Sequence, residues 1–223
     1  VDLNGVVGSG PQGLITVQDV KGKLGQRLEN KNHFALDDLD AEKLHGVRRS
    51  MALAMIQSNQ EVVPVTIFDE VDISHLPEKA DLTVRLLQAI AAAALAEPAL
   101  NAWFDGKNLA RKISKAVNIG LAVDTPEGLF VPVIKNVETQ SAESLRTAID
   151  TYKRDVKNRS VAPKDLQGQT FTLSNFGMIA GRYATPIIVP PAVAILGCGK
   201  SRLEPVIKEG KVVIGKKLPL SLS

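Results

Sequence analysis

The side chains that stand out as candidates for chemistry are scattered along this sequence. Ser174 closes a short β-prone run, Phe171-Thr172-Leu173, and enters a turn of Asn175, Phe176 and Gly177. Ser and Asn at a strand end can simply bond their own backbone. Alternatively the turn carries one hydroxyl to a place where a substrate reads it. The segment by itself leaves both readings open. The histidines are His33, His45 and His75, and none has a cysteine or second histidine at ligand spacing, so they read as solvated side chains rather than metal ligands. Cys198 sits in the apolar run AVAILGCGK and reads as a small buried hydrophobe, not a nucleophile. Gly8-Ser9-Gly10-Pro11-Gln12-Gly13 matches G-x-G-x-x-G by letter. That fingerprint needs a strand before it and a helix opening within it, and Pro11 interrupts the pattern, so a loop is expected. Arg48 and Arg49 form either a solvated pair or an anchor for a carboxylate or a cofactor phosphate.

The elements that must position these groups follow from periodicity. Val47, Met51, Ala54, Met55 and Ser58 recur at helical spacing. Val62–Asp72 is β-branched and aromatic, with Pro64 as an edge or entry residue, and reads as a strand. Asp81–Ala96 is a helix whose apolar face is Leu82, Leu86, Leu87, Ile90, Ala91, Ala94 and Leu95, stopped by Pro98. Ala116–Asn136 contains two β runs around Asp124-Thr125-Pro126-Glu127-Gly128, strong hairpin chemistry. Thr139–Asn158 is an amphipathic helix with Leu145, Ala148, Ile149, Tyr152 and Val156 inward. A strand at Ala192–Gly197 precedes a hairpin of Glu204–Ile207 against Val212–Ile214, and Lys216–Ser223 is expected to begin another strand.

Of the 223 residues, 44% are hydrophobic and 23% charged, which supports a folded core over disorder. A net charge of +3, with cations dispersed among 24 acids, gives no stripe for nucleic acid. No apolar run is long enough to span a bilayer, so neither nucleic acid nor a membrane is expected as a partner. A single cysteine excludes an internal disulfide framework and fits a reducing compartment.

Several strings taken together resemble one family. The helix opening at Gly46, then VDTPEGLFVPVIKN, FTLSNFG, TPII, AVAILGCG and LPLSLS occur in order. They resemble the core of the dihydrolipoamide acyltransferases of 2-oxo acid dehydrogenase complexes. GVVGSGPQGLITVQDV resembles the second half of their peripheral subunit-binding domain, with Leu14 where a basic residue is usual. The resemblance implies residues 1–20 as a remnant of that domain, 21–44 as a linker, and 45–223 as an acyltransferase core lacking its C-terminal end. The implied fold is α/β (two-layer α+β), chloramphenicol acetyltransferase-like, with a mixed sheet packed by helices. Many relatives carry a longer helical segment where only Ile73–Ala80 connects strand to helix here.

The implied reaction moves an acyl group between the dihydrolipoyl-lysine of a separate lipoyl domain and coenzyme A. By the same resemblance Ser174 is the oxyanion donor, not a nucleophile, and Thr185 and Pro186 contact the cofactor. The implied base is a histidine in H-x-x-x-[DN]-G acting across a subunit interface, a motif that none of His33, His45 and His75 occupies. The alternative expectation is a catalytically silent assembly scaffold of the same fold. Implied partners are a homotrimer building a larger core, the 2-oxo acid decarboxylase and dihydrolipoamide dehydrogenase components, and the lipoyl domain. The implied compartment is a bacterial cytoplasm or a mitochondrial matrix.

Overall fold

The structure, a computed structural model, describes residues 7–20, 42–179 and 181–223. The chain divides into two units, Val1–Leu44 and His45–Ser223. His33 and nearly all of the expected linker lie outside the described residues.

In the first unit the glycine string folds as a loop. Pro11–Gly13 makes a 3-10 turn and residues 17–20 are helical. The Asp19 carboxylate accepts from the Ser9 amide and hydroxyl (3.0 and 2.7 Å) and from the Thr16 amide and hydroxyl (both 2.8 Å). A Cβ on Gly8 would lie 2.2 Å from the Gly13 carbonyl oxygen. The glycines thus let the backbone close on itself, and a carboxylate already takes the amides that a phosphate would need. The Ser9 and Thr16 amides, with their hydroxyls, hold the Asp19 carboxyl far below its ordinary 3.8. A depressed carboxyl stabilises the fold above its unfolded pKa, and that contribution is lost as pH falls through the folded one. Amide-exchange protection at Ser9 and Thr16 should therefore persist at neutral pH and decline only well below 3.8. In Asp19→Asn it should already be reduced at neutral pH.

The second unit begins with helix α1 (Gly46–Glu61) and strand β1 (Ile67–Asp72). Helix α2 (Leu82–Ala96) follows, capped by the Asp81 side chain, which accepts from the Val84 amide at 3.1 Å. Short strands come next: β2 (Ala102–Asp105), β3 (Ala110–Ile113), β4 (Ile119–Leu121), β5 (Val123–Thr125), β6 (Gly128–Phe130) and β7 (Val133–Ile134). Helix α3 (Ala142–Lys157) has Ser141 as its cap, Glu143 in its first turn, and Arg154 and Lys157 in its last, as its macrodipole favours. The chain ends in β8 (Phe171–Asn175), β9 (Ile195–Cys198), β10 (Arg202–Lys208) and β11 (Lys211–Leu222).

Seven strands form one mixed sheet in the order β1-β11-β9-β8-β4-β7, with β10 paired to β11. Strands β4, β8 and β9 run parallel, and the remaining pairs are antiparallel. Side chains alternate across a strand, so register decides which residues share a face. Phe171 and Leu173 of β8 join Ile119 and Leu121 of β4, Cys198 of β9 and Leu218 of β11 in the core. Leu87 and Ile90 of α2 and Leu145 and Ile149 of α3 cover that face. Leu87, Leu145, Ile149 and Leu173 are fully buried. The opposite face carries Thr172 and Ser174.

The expected mixed sheet packed by helices is present, with several corrections. The expected strand at Val62–Asp72 starts five residues late, because the ladder with β11 begins at Ile67↔Leu222 and Pro64 has no amide hydrogen to extend it. The helix expected from Thr139 starts at Ala142, after a 3-10 turn at Val137–Thr139. The strand expected at Ala192–Gly197 is Ile195–Cys198, and Ala192 instead bridges Trp103. Lys216–Ser223 does not begin a new strand: β11 runs unbroken from Lys211. Pro219 is tolerated inside it because its carbonyl accepts from Gly199 at 3.0 Å, which aims its nitrogen at the break between β9 and β10.

Candidate functional site

Ser174 is the fourth residue of β8 and is half-buried. Its register partner is Gly197, which pairs in turn with Ser221, itself opposite Phe68. Ser174, Gly197, Ser221 and Phe68 therefore form one row across four strands on the face away from the helical core. On the other flank Ala122, whose amide donates to the Leu173 carbonyl at 3.0 Å, follows the last β4–β8 pair. The residues beside the hydroxyl are thus Gly and Ala, and the position between these two small neighbours is the slot of Ser174.

The slot has walls. A Cβ placed on Gly197 would lie 3.0 Å from a ring carbon of Phe176 and 3.5 Å from Cγ of Pro186. The turn carrying Phe176 is pinned by two amides, Phe176 and Gly177, which both donate to the Cys198 carbonyl at 3.1 Å. Glycine is required at two positions there. A Cβ on Gly177 would meet the Gly199 carbonyl oxygen at 2.5 Å, and one on Gly199 would meet the Arg182 carbonyl oxygen at 2.1 Å. The Gly-Cys-Gly punctuation of an apolar strand marks this close backbone approach.

The connection from β8 to β9 returns over the same face. The Ala184 amide donates to Ser221 Oγ at 3.2 Å, and the buried Ser58 of α1 donates to the Ile188 carbonyl at 2.6 Å. Tyr183 Oη and Arg182 Nε each donate to Glu70 Oε1 at 2.7 Å, and Arg182 also pairs with Glu204. The Tyr183 and Arg182 bonds hold the Glu70 carboxyl below its ordinary value. The Tyr183 and Phe68 rings pack with centroids 5.4 Å apart.

The sequence-derived candidates separate as follows. Pro186 lies against Gly197, hence beside Ser174. Thr185 is exposed and, with Pro186, lines a cleft of about 540 Å³ together with Met55, Phe68 and Ile187. Ser174 does not line that cleft. His45 stands at the N-terminus of α1 and His75 in the turn after β1, both exposed. Arg48 resolves as a structural anchor, donating to the Pro126 carbonyl of the β5–β6 turn at 3.1 Å. Cys198 is fully buried, and burial pushes its thiol up to about 11, which fits packing and not nucleophilic chemistry. No group of three or more metal-binding side chains occurs among the described residues, and no helix among them is long and apolar enough to cross a membrane. Glu70, Arg182 and Tyr183 were not singled out from sequence, because only the β1–β11 register brings Glu70 under the returning loop.

A family model described as the 2-oxoacid dehydrogenases acyltransferase catalytic domain matches residues 37–223. The dihydrolipoyllysine-residue acetyltransferase component of the Bacillus subtilis pyruvate dehydrogenase complex is 33% identical over 196 residues, 82% of this chain and 44% of that protein. The dihydrolipoamide acetyltransferase of Azotobacter vinelandii superposes with a TM-score of 0.76 at 32% identity, over 82% of both chains. In that protein a serine, a histidine and an asparagine have been studied for their role in catalysis. The cubic core of a pyruvate dehydrogenase multienzyme complex matches with a TM-score of 0.76 at 32% identity, covering 85% of this chain and 84% of that one. The chain spans about half the length of the curated relatives it matches, 44% of one and 60% of another.

Proposed function

The chain belongs to the 2-oxoacid dehydrogenase acyltransferase catalytic-domain family, and on that premise we propose that it transfers an acyl group between a dihydrolipoyl-lysine thiol and the thiol of coenzyme A. The observation that carries the reading is Ser174 at the end of β8, its hydroxyl in a slot flanked by Gly197 and Ala122 and walled by Phe176 and Pro186.

In this reading the incoming thiol loses its proton to a base and attacks the thioester carbonyl. A C–S bond forms, and the carbonyl electron pair moves onto oxygen. Ser174 donates its hydroxyl hydrogen bond to that oxyanion. When the pair returns, the original C–S bond breaks and the departing thiolate takes up a proton. A hydroxyl suits this work because it need not ionise; it has only to be aimed where charge develops. Thr185 and Pro186 border the pantetheine arm of coenzyme A. The proton acceptor is a histidine brought to Ser174 by a neighbouring subunit of a homotrimer.

Assembly is supported by apolar surface. In the β10–β11 hairpin Leu203, Ile207, Val212 and Ile214 are each more than two-thirds exposed, and a stripe of that kind favours association with another protein surface. The partners in this reading are the lipoyl domain that carries the acyl group, together with the decarboxylase and dihydrolipoamide dehydrogenase components. The compartment is the cytoplasm of a bacterium.

A silent assembly scaffold of the same fold is the second reading. One assay separates the two. The complete protein is mixed with a lipoyl domain bearing dihydrolipoyl-lysine and a panel of acyl-coenzyme A thioesters. Transfer of one acyl class, followed by the mass shift of the lipoyl domain, is the expected result. An assembled protein that transfers none of them would establish the scaffold.

A further inference from the structure

The geometry points to Glu70 as a positioning residue for the Ser174 site, acting through the segment 182–188 that it holds against the sheet. Segment 182–188 crosses the face that carries Ser174 and supplies Pro186 to the slot and Thr185 to the neighbouring cleft. Its attachments are few. Lys200 donates to the Gly181 carbonyl at 3.3 Å, Ala184 donates to Ser221, and Ser58 reaches Ile188. The charged attachment near its start is Glu70, where one carboxylate oxygen receives both the Arg182 guanidinium and the Tyr183 hydroxyl.

Position in the sheet explains why Glu70 can do this. It lies two residues from Phe68 on β1, so both side chains rise on the Ser174 face. The Phe68 ring supports the Tyr183 ring from below while Glu70 binds its hydroxyl. Arg182 spans from Glu70 on β1 to Glu204 on β10, so the clamp reaches across β11. A side chain three strands from the hydroxyl therefore decides where Pro186 stands. Charge-assisted hydrogen bonds of this kind are the stronger ones. Among the described residues, the hydrogen bonds that fix the height of Thr185–Ile187 above Gly197 are this clamp and the Ala184 and Ile188 anchors.

The inference rests on the acyl-transfer reading only for its kinetic consequence, and the test has two arms. Arg182 precedes Tyr183, so the clamp engages in an ion pair the side chain that trypsin must bind. In Glu70→Ala, trypsin cleavage after Arg182, followed by mass spectrometry on the whole protein, should rise about tenfold, the opening expected from losing charge-assisted bonds. The melting temperature should stay within a few degrees. In the transfer assay the KM for the acyl-coenzyme A thioester should rise about tenfold with kcat held within about twofold, because the segment borders the substrate and does not touch the reacting oxygen. Tyr183→Phe keeps the ring on Phe68 and the Arg182–Glu70 pair, and should shift both readouts the same way by less. It carries the test if Glu70→Ala does not fold. Unchanged cleavage and unchanged KM in Glu70→Ala would overturn the inference. A parent protein that transfers no acyl group would overturn the functional reading instead, and the trypsin arm would still decide the clamp.

Discussion

Replacing Ser174 by alanine should lower acyl transfer by the complete protein about 10²- to 10³-fold, the loss expected on removing one oxyanion donor. The effect should fall on kcat and on kcat/KM alike, since the hydrogen bond strengthens only as charge develops on the carbonyl oxygen. Stability should hardly change. The hydroxyl is half-buried, and among the described residues no hydrogen bond engages it, so its removal orphans no partner. Leu173, one residue earlier, is the contrast: fully buried in the core, it should lose about 2–5 kcal/mol of stability when cut to alanine. A Ser174→Ala protein with an unchanged rate would remove the serine from the chemistry.

The second large effect belongs to Gly199. An alanine there would place its Cβ 2.1 Å from the Arg182 carbonyl oxygen and 3.0 Å from Cγ of Pro219. Both neighbours are backbone or ring atoms and cannot swing aside. Overpacking of a closed site commonly costs about 1–3 kcal/mol, and a clash with a fixed backbone oxygen belongs at or above the top of that range. The displaced segment is the one that begins at Arg182 and carries Pro186. Gly199→Ala should therefore lower both the denaturation midpoint and transfer activity, whereas Ser174→Ala lowers activity alone. Chemical denaturation followed beside the transfer assay distinguishes the two patterns. A Gly199→Ala protein with parental stability would show that β9 and the returning segment do not meet as described.

How much of this was legible in the sequence varies from residue to residue. The helices were readable because Leu86, Leu87, Ile90 and Leu145, Ile149, Val156 keep a 3.6-residue period. The hairpin at Pro126 and Glu127 was readable from turn chemistry alone. Ser174 was visible as a hydroxyl at a strand end, though its slot was not. The slot depends on Gly197 lying beside Ser174, which is a matter of strand order, and order leaves no local period. Glu70 was hidden for the same reason: Arg182 and Tyr183 lie 112 and 113 residues further along the chain. The unbroken course of β11 was hidden by Pro219, a residue that locally argues against a strand interior and is accommodated only because β9 and β10 part opposite it. Arg48 follows neither of its two sequence readings, since it donates to the Pro126 backbone carbonyl, a partner 78 residues away that no local pattern marks.

The most direct test of the central claim is a crystal structure of the complete protein with coenzyme A bound. The coenzyme sulfur should lie in the slot between Gly197 and Ala122, within reach of an oxyanion that Ser174 Oγ could contact, with the pantetheine arm running past Pro186 and Thr185. Ordered density for the coenzyme with its sulfur on any other face of the sheet would contradict the assignment of Ser174 and of the site built around it.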